Sequence, residues 1–188
     1  VGKTSLLNQY VKNQFSLQYK ATIGADFLTK QIKKGDANIN LQLWDTAGSE
    51  RYHSIGSGFY RNSETCVLVF DLTNEQSFEN VEIWRKEFLE NLSPPDSDKY
   101  PFVLLGNKND IKESIKVKDE DIQKYCNSHN NMTYFSVSAK NNDMVEESFK
   151  KVADLAFKRN TDNEDIQLPE IKPLKVEKNI PNQSGCKC

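Results

Sequence analysis

Strand-like and helix-like segments alternate between residues 39 and 156, and this alternation restricts the fold more than any other feature of the chain. Residues 66–70 and 102–105 form short apolar runs, which indicate strands buried on both faces. Residues 39–43 alternate apolar and polar side chains, as a strand with one buried face does. Apolar residues also recur at helical spacing, at Phe78, Val81, Trp84 and Phe88 and again at Val145, Phe149, Val152 and Ala156. We therefore predict an α/β fold with a mostly parallel sheet flanked by helices.

The composition is that of a globular domain followed by a tail. Of the 188 residues, 37% are apolar and 28% are charged, and the net charge of −2 gives no reason to expect a nucleic-acid partner. Residues 161–188 contain no aromatic residue and hold half of the six prolines. Such a segment buries too little apolar surface to offset the entropy lost on ordering. We predict a globular domain over residues 1–160 and a disordered tail over residues 161–188.

The first residues match the end of a phosphate-binding loop. Gly2-Lys3-Thr4 has the form of the last positions of G-x-x-x-x-G-K-[ST], whose first glycine would lie upstream of Val1. In such a loop, backbone N–H groups and the N-terminus of the next helix bind phosphate oxygens. Lys3 would contact the β- and γ-phosphates, and the Thr4 hydroxyl would ligate Mg²⁺. Taken alone, the tripeptide also fits an ordinary helix start.

Two loop segments supply candidates for the other side of a triphosphate. Asp45-Thr46-Ala47-Gly48 follows the alternating strand, where Asp45 could hold Mg²⁺ through a water and Gly48 could offer its N–H to a γ-phosphate. Thr22 lies in a loop after the first helix and is a candidate second hydroxyl ligand of the metal. Each segment also fits an ordinary turn or a polar surface loop.

Two further segments follow predicted strands and are typical of a base-binding site. Asn107-Lys108-Asn109-Asp110 has the form N-K-x-D at the carboxyl end of a strand, where open α/β sheets bind ligands. The Asp110 carboxylate would accept two N–H donors from guanine, a pair that adenine lacks. Lys108 would lie along the ring, and Ser138-Ala139-Lys140 would offer the Ala139 N–H to guanine O6. The four segments in this order favour one guanine-nucleotide site over four unrelated turns.

With these residues in place, the chain resembles the Ras superfamily of small GTPases and, within it, the Rab family. The Rab-like stretches are Ile23-Gly24-Ala25-Asp26-Phe27, Leu41-Gln42-Leu43-Trp44-Asp45-Thr46-Ala47-Gly48, Phe59-Tyr60-Arg61 and Leu68-Val69-Phe70-Asp71-Leu72-Thr73. Residues 18–30 and 101–108 look most like the late-endosomal and lysosomal branch. The resemblance implies a small GTPase domain with a six-stranded sheet, whose central first strand is missing from this chain.

The resemblance also implies the bound groups and the residues that hold them. It predicts GTP or GDP with Mg²⁺, and it makes Thr4, Thr22 and Asp45 the metal ligands. Phe15 is expected to pack across the guanine edge. Residues 45–60 are expected to form the second of two switch loops, and Tyr19 and Thr22 to lie in the first. The nucleotide-binding set is then Gly2, Lys3, Thr4, Ser5, Phe15, Tyr19, Thr22, Gly48, Asn107, Lys108, Asp110, Ser138, Ala139 and Lys140.

The likeness extends to partners. Phe27, Trp44 and Tyr60 match an aromatic triad that Rab effectors contact, although core packing explains the same side chains. The family also implies an exchange factor, a GTPase-activating protein of the TBC type, a GDP-dissociation inhibitor and an escort protein. The expected location is the cytoplasmic face of late endosomes or lysosomes, with a carrier-bound cytosolic pool.

One residue departs from the family at the position next to Gly48. The family usually has a glutamine there, which orients the attacking water, and this chain has Ser49. A serine hydroxyl is shorter and cannot donate and accept as a carboxamide does. We therefore predict slow intrinsic hydrolysis at the catalytic pair Gly48 and Ser49. An activating partner of the TBC type often brings its own glutamine, so stimulated hydrolysis is compatible with Ser49.

The chain ends in Cys186-Lys187-Cys188, which is not a C-a-a-X sequence. It resembles the Rab C-x-C ending, in which both cysteines carry geranylgeranyl groups. Two such chains anchor a protein stably in a membrane, whereas one anchors it weakly. A metal clip or free thiols are the alternatives, and the tail offers no histidine to complete a metal site.

Three functions from different classes fit these observations. The first is a GTP-dependent switch that regulates traffic to late endosomes and lysosomes. The second is a scaffold or decoy that keeps the Rab surface but does not cycle, which Ser49 and the missing start favour. The third, an ATP-using enzyme with a phosphate-binding loop, is disfavoured by residues 107–110.

Overall fold

The computed structural model describes residues 1–18, 20–35, 37–48, 60 and 62–164. The described helices are α1 (Lys3–Lys12), α2 (Glu75–Glu79), α3 (Val81–Leu92), α4 (Asp119–Ser128) and α5 (Val145–Glu164). The described strands are β1 (Ala25–Lys34), β2 (Ala37–Thr46), β3 (Cys66–Asp71), β4 (Phe102–Asn107) and β5 (Thr133–Ser136). The predicted α/β class is confirmed.

The described strands form two sheets instead of the single one expected. β3, β4 and β5 make a parallel sheet with β4 in the centre, and β1 and β2 make a separate antiparallel pair. A sheet continues only where the backbones of neighbouring strands lie about 4.8 Å apart. The resemblance makes the family's first strand central and predicts that this chain lacks it, and the described residues contain no strand that joins the two sheets.

β4 separates two apolar cores. Val103 and Leu105 lie in a core with α1 and α5, whereas Phe102 and Leu104 lie in a core with α3 and α4. Successive side chains of a strand point to opposite faces, so a strand covered on both sides must be apolar throughout. Every residue of β4 is buried, and the helices therefore cover both faces of the parallel sheet.

The helical stripes occupy the positions expected, with two differences. The stripe from Phe78 to Phe88 spans two helices, which meet at Asn80, and the Asn74 side chain accepts the Ser77 N–H at the start of the first. α5 continues to Glu164, four residues beyond the predicted domain boundary at Asn160. The rest of the predicted tail, 165–188, lies outside the described residues. None of the described helices is long and apolar enough to cross a membrane.

Candidate functional site

The loops after β3, β4 and β5 lie at the same edge of the parallel sheet, because each begins at the carboxyl end of its strand. Asn107, the last residue of β4, is 2% exposed and joins three segments of the chain. Its Nδ2 donates a 2.9 Å hydrogen bond to the Val1 carbonyl, and its Oδ1 accepts a 3.1 Å hydrogen bond from the Ala139 N–H. The predicted phosphate and base segments therefore meet at one buried amide.

Gly2 is required by this junction for two reasons. Its φ of +98° lies in the region that favours glycine. A Cβ built on Gly2 would lie 2.5 Å from Asn107 Nδ2, closer than side chains approach one another. Gly2 also forms the N-cap of α1, so that Lys3, Thr4 and Ser5 lie in the first helical turn. The N-terminus of α1 therefore points its backbone donors toward the junction.

The base segments are held together by buried polar contacts. The Ser138 hydroxyl is fully buried and donates a 2.7 Å hydrogen bond to Asp110 Oδ1, while it accepts one of 3.0 Å from the Asn141 N–H. Lys140 Nζ lies 4.0 Å from Asp110 Oδ2. These contacts bring together Asp110, Ser138 and Lys140, which the sequence analysis assigned to one base-binding site. The Asp110 carboxylate is thereby fixed in orientation before any ligand binds.

Lys108 has a partner that the sequence reasoning did not identify. Its backbone has a φ of +70°, and its Nζ lies 2.5 Å from Asp71 Oδ2 at the end of β3. Burial alone would raise the pKa of the Asp71 carboxyl, but hydrogen bonds from Lys108 and Thr73 outweigh it, and the pKa is lowered. Asp71 pairs with Asn107 in the sheet register, so Asp71 and the next residue, Lys108, both lie at the sheet edge. The sequence alone does not reveal that register and therefore does not predict the contact between Lys108 and Asp71.

Three oxygen-bearing side chains converge at the other end of the site. Thr4 Oγ1 lies 2.7 Å from Thr22 Oγ1 and donates a 2.5 Å hydrogen bond to Asp45 Oδ2. Asp45 is 1% exposed, and its Oδ1 has no hydrogen-bond partner among the described residues. Burial raises the pKa of the Asp45 carboxyl, although the Thr4 hydrogen bond and the Lys3 charge oppose the shift. The predicted metal ligands are therefore brought together around an unpaired buried acceptor.

Lys3 and Gly48 face each other beside this cluster. A Cβ on Gly48 would lie 3.1 Å from Lys3 Nζ, so the absence of a side chain at Gly48 leaves room for the ammonium group. Burial lowers the pKa of Lys3, and the Asp45 charge only partly restores it. A lysine and a carboxylate that are both destabilised in their charged forms would gain from an added anion and an added cation, respectively.

The donor set fits Mg²⁺ better than it fits a softer metal. Two hydroxyls and a carboxylate are hard oxygen ligands, and the unpaired Asp45 Oδ1 is an acceptor that a cation or its bound water can satisfy. Within residues 1–164, apart from 19, 36, 49–59 and 61, no group of three or more His, Cys, Asp or Glu side chains is placed to hold a metal. A site of this kind needs phosphate oxygens and water to complete its coordination.

The aromatic residues predicted to contact effectors differ in exposure. Phe27 and Trp44 are cross-strand partners with ring centroids 4.8 Å apart, and they are 42% and 44% exposed. Tyr60 is half-buried, and its ring lies 5.1 Å from that of Phe88 in the second core. Core packing therefore explains the burial of Tyr60, but it does not explain the two exposed aromatic rings of Phe27 and Trp44.

The remaining predicted site residues are exposed or lie outside the described part of the chain. Phe15, in the loop after α1, is exposed. Tyr19, Ser49, Cys186 and Cys188 fall outside the described residues, as does residue 61 and most of the predicted second switch loop.

Comparison with known proteins identifies the chain's relatives. A model of the Ras family matches residues 1–158. This chain belongs to the Ras family. It is 46% identical to the Ras-related protein RABG3a of Arabidopsis thaliana over 100% of its own length and 91% of that protein's. It is 45% identical to the Ras-related protein Rab-7a of Paramecium octaurelia, with coverage of 99% and 91%. The Ras-related protein Rab7 of Pisum sativum is 45% identical, with coverage of 100% and 91%.

Membership of the Ras family confirms several predictions at once. The chain is a small GTPase of the Rab type, as the resemblance indicated. The predicted likeness to the late-endosomal and lysosomal branch is supported by the identities to RABG3a and Rab-7a. It is a GTP-binding switch in vesicle traffic, with GTP, GDP and Mg²⁺ as its bound groups. Ras-family switches of the Rab type work with exchange factors, activating proteins, GDP-dissociation inhibitors and effectors in general.

Proposed function

We propose that the site binds a guanine nucleotide through the residues assembled around Asn107. In this proposal Asp110 accepts the two N–H donors of guanine, and Ala139 donates its N–H to O6. Ser138 and Lys140 support Asp110, Lys108 lies along the ring, and Phe15 covers the base edge. Gly2, Lys3, Thr4 and Ser5 hold the phosphates. The observation that carries the proposal is the pair of hydrogen bonds by which Asn107 joins Val1 and Ala139.

The phosphate end supplies the switch. Lys3 neutralises phosphate charge, and Thr4, Thr22 and Asp45 would hold Mg²⁺, which supplies charge neutralisation when bound. The backbone N–H groups of Thr22 and Gly48 donate to the γ-phosphate, and each such bond to a charged group contributes about 1.5–3 kcal/mol. Hydrolysis removes both bonds, so the ordered conformation of the two loops loses several kcal/mol of stabilisation. That difference allows a partner to distinguish the GTP form from the GDP form.

We expect hydrolysis to be slow without a partner. Ser49 follows Gly48 at the position that orients the attacking water, and its hydroxyl is too short to replace a carboxamide. Single-turnover hydrolysis of GTP by the full-length protein should therefore accelerate in the Ser49→Gln variant. A TBC-type activating protein should accelerate both proteins. A fast intrinsic rate with Ser49 would contradict this expectation.

The membrane anchor and the location belong to the same proposal. Cys186 and Cys188 would each carry a geranylgeranyl group, and an escort protein is among the expected partners. The kinship with Rab7-type proteins supports membranes of late endosomes and lysosomes as the location, with a soluble pool bound to a GDP-dissociation inhibitor. Phe27, Trp44 and Tyr60 would contact effectors. Mass spectrometry of protein from its native cell should show two isoprenoid groups, and unmodified thiols would refute the anchor.

The nucleotide preference of the full-length protein tests the site assignment. The parent protein should bind GDP and GTP and should ignore ADP and ATP. The Asp110→Ala variant removes two hydrogen bonds to a charged acceptor, so its affinity for GDP should fall by about a hundredfold or more. Equal binding of adenine and guanine nucleotides, or unchanged affinity in the variant, would contradict the assignment.

A further inference from the structure

Asn109 stands at the x position of the N-K-x-D segment, and its side chain contacts a residue outside the predicted site. Its Nδ2 donates a 2.7 Å hydrogen bond to Asp143 Oδ2 and one of 3.2 Å to the Ser136 carbonyl. Its backbone N–H donates a 3.1 Å hydrogen bond to the Val137 carbonyl. The side chain of Asn109 therefore reaches across from the loop after β4 to the loop after β5.

Asp143 is held in place to receive this contact. Its backbone N–H and carbonyl exchange 3.1 Å hydrogen bonds with the carbonyl and N–H of Ser138. Asn142 and Met144, which flank it, both have positive φ angles, of 57° and 53°. The loop from Ser138 to Asp143 is thus closed on itself, and the Asp143 carboxylate extends from the same closed loop that carries Ser138 and Ala139.

The two loops meet through Asp110 and through the residue before it. The Ser138 hydroxyl donates to Asp110 Oδ1 at 2.7 Å. The side chain of Asn109, one residue earlier, donates to Asp143. A carboxylate that accepts two donors from one base edge must keep both its position and its plane. The Asn109–Asp143 contact adds a side-chain attachment next to Asp110 to the backbone contacts that already join the two segments.

We propose that Asn109 and Asp143 are positioning residues, whose hydrogen bond fixes the Asp110 carboxylate in the plane of the bound base and so sharpens selection for guanine. The proposal rests on the assignment of Asp110 to the guanine edge. Asn109 and Asp143 act through Asp110 and have no contact with the nucleotide in this scheme. The group they help to recognise is the exocyclic amine of guanine, which hypoxanthine lacks.

The size of the effect follows from the exposure of the pair. A hydrogen bond to a charged group corresponds to about a tenfold or larger change in an equilibrium constant when it is well buried. Asp143 is exposed, which reduces the contribution. We expect a change of about three- to tenfold in the affinity for GDP. The affinity for IDP, whose base offers Asp110 only the N1–H, should change less.

The test compares GDP and IDP binding by the full-length protein and by Asn109→Ala, Asp143→Ala and the double variant. Each single variant should lower the GDP-to-IDP affinity ratio. The double variant should lower it no further than Asn109→Ala, which removes the bond to Asp143 together with the one to Ser136. Asp143→Asn keeps an oxygen acceptor for Asn109 and should keep most of the ratio. Glu113→Ala removes an exposed carboxylate from the loop after Asp110 and is the matched control.

The outcomes separate this proposal from the site assignment. A parent protein that binds neither nucleotide, or both equally, would overturn the assignment of Asp110. A parent with a clear preference for GDP, and variants that retain that ratio, would overturn the role of Asn109 and Asp143 alone. An equal fall in GDP and IDP affinity, or singles whose effects add in the double variant, would also overturn it. Thermal unfolding of each variant identifies any loss that comes from misfolding, and Asp143→Asn then remains the informative variant.

Discussion

At the residue scale, Met144 adopts a backbone conformation that its side chain does not favour. Its φ is 53°, and it is the residue whose carbonyl accepts the Ser148 N–H at the start of α5. A left-handed conformation costs a residue with a Cβ about 1–2 kcal/mol, and asparagine tolerates it better than most. Met144→Asn should therefore raise the free energy of unfolding by about 0.5–1 kcal/mol, measured by urea denaturation.

The control for this prediction is Met144→Ala. Alanine keeps the Cβ and hence the conformational cost, while it removes the thioether, which is partly exposed. The alanine variant should show no gain in stability. Equal stabilisation by alanine and asparagine would show that loss of the methionine side chain, and not relief of the backbone, is responsible.

The candidate site residues that the sequence could supply are those in short contiguous patterns. Gly2, Lys3, Thr4 and Asp110 follow from the spacing of motifs whose chemistry is local. The partners Asp71 for Lys108 and Asp143 for Asn109 do not, because each pair is distant along the chain and depends on strand register or on loop closure. Asparagine in a loop is also too common to indicate a contact with a residue 34 positions away.

At the element scale, a single arginine fastens the end of α5 to the segment before β4. The Arg159 guanidinium makes two hydrogen bonds to Asp96, of 2.5 and 2.7 Å, and lies 4.5 Å from the centroid of the Tyr100 ring. The Arg159 side chain is 15% exposed and that of Asp96 39%, so the pair is partly screened. Arg159→Ala should lower the free energy of unfolding by about 1–2 kcal/mol.

The Arg159→Lys variant tests whether the positive charge or the planar guanidinium group stabilises this contact. Arg159→Lys keeps the positive charge but cannot form the planar two-bond contact with Asp96 or stack on Tyr100. It should therefore lose more than half of the stability that the alanine variant loses. Urea denaturation of both variants measures this, and a lysine variant as stable as the parent protein would show that charge alone fastens α5.

The sequence predicted most of the elements and a parallel sheet, but it did not predict β1 or the separate pairing of β1 with β2. The apolar run of β4 indicated a strand covered on both faces, and the structure divides its side chains between two cores. Periodicity reports which face of an element is buried and carries no information about which strand lies beside it. The division into a parallel sheet and a separate antiparallel pair depends on that neighbour relation.

At the scale of the whole molecule, paired carboxylates make the folded state sensitive to acid. Hydrogen bonds from Arg159 lower the pKa of Asp96. Burial alone would raise the pKa of Glu82, but hydrogen bonds from Arg85 and Tyr125 lower it, and Asp71 follows the same balance with Lys108 and Thr73. Groups whose pKa is lower in the folded state stabilise the protein above the unfolded pKa of about 4. That contribution is lost as the pH falls through the folded values.

The free energy of unfolding should therefore fall by about 1–3 kcal/mol between pH 6 and pH 3 on account of these three carboxylates, since partly exposed pairs contribute about 0.2–1 kcal/mol each. Asp45 works in the opposite direction, because burial raises its pKa and protonation relieves that cost. Urea denaturation at each pH gives the free energy of unfolding. That free energy should change less with pH in Asp96→Asn and in Glu82→Gln than in the parent protein. Glu120→Gln, which removes an exposed carboxylate of α4, is the control. If the free energy of unfolding depends on pH in the same way in all four proteins, these ion pairs do not determine the acid sensitivity of the fold.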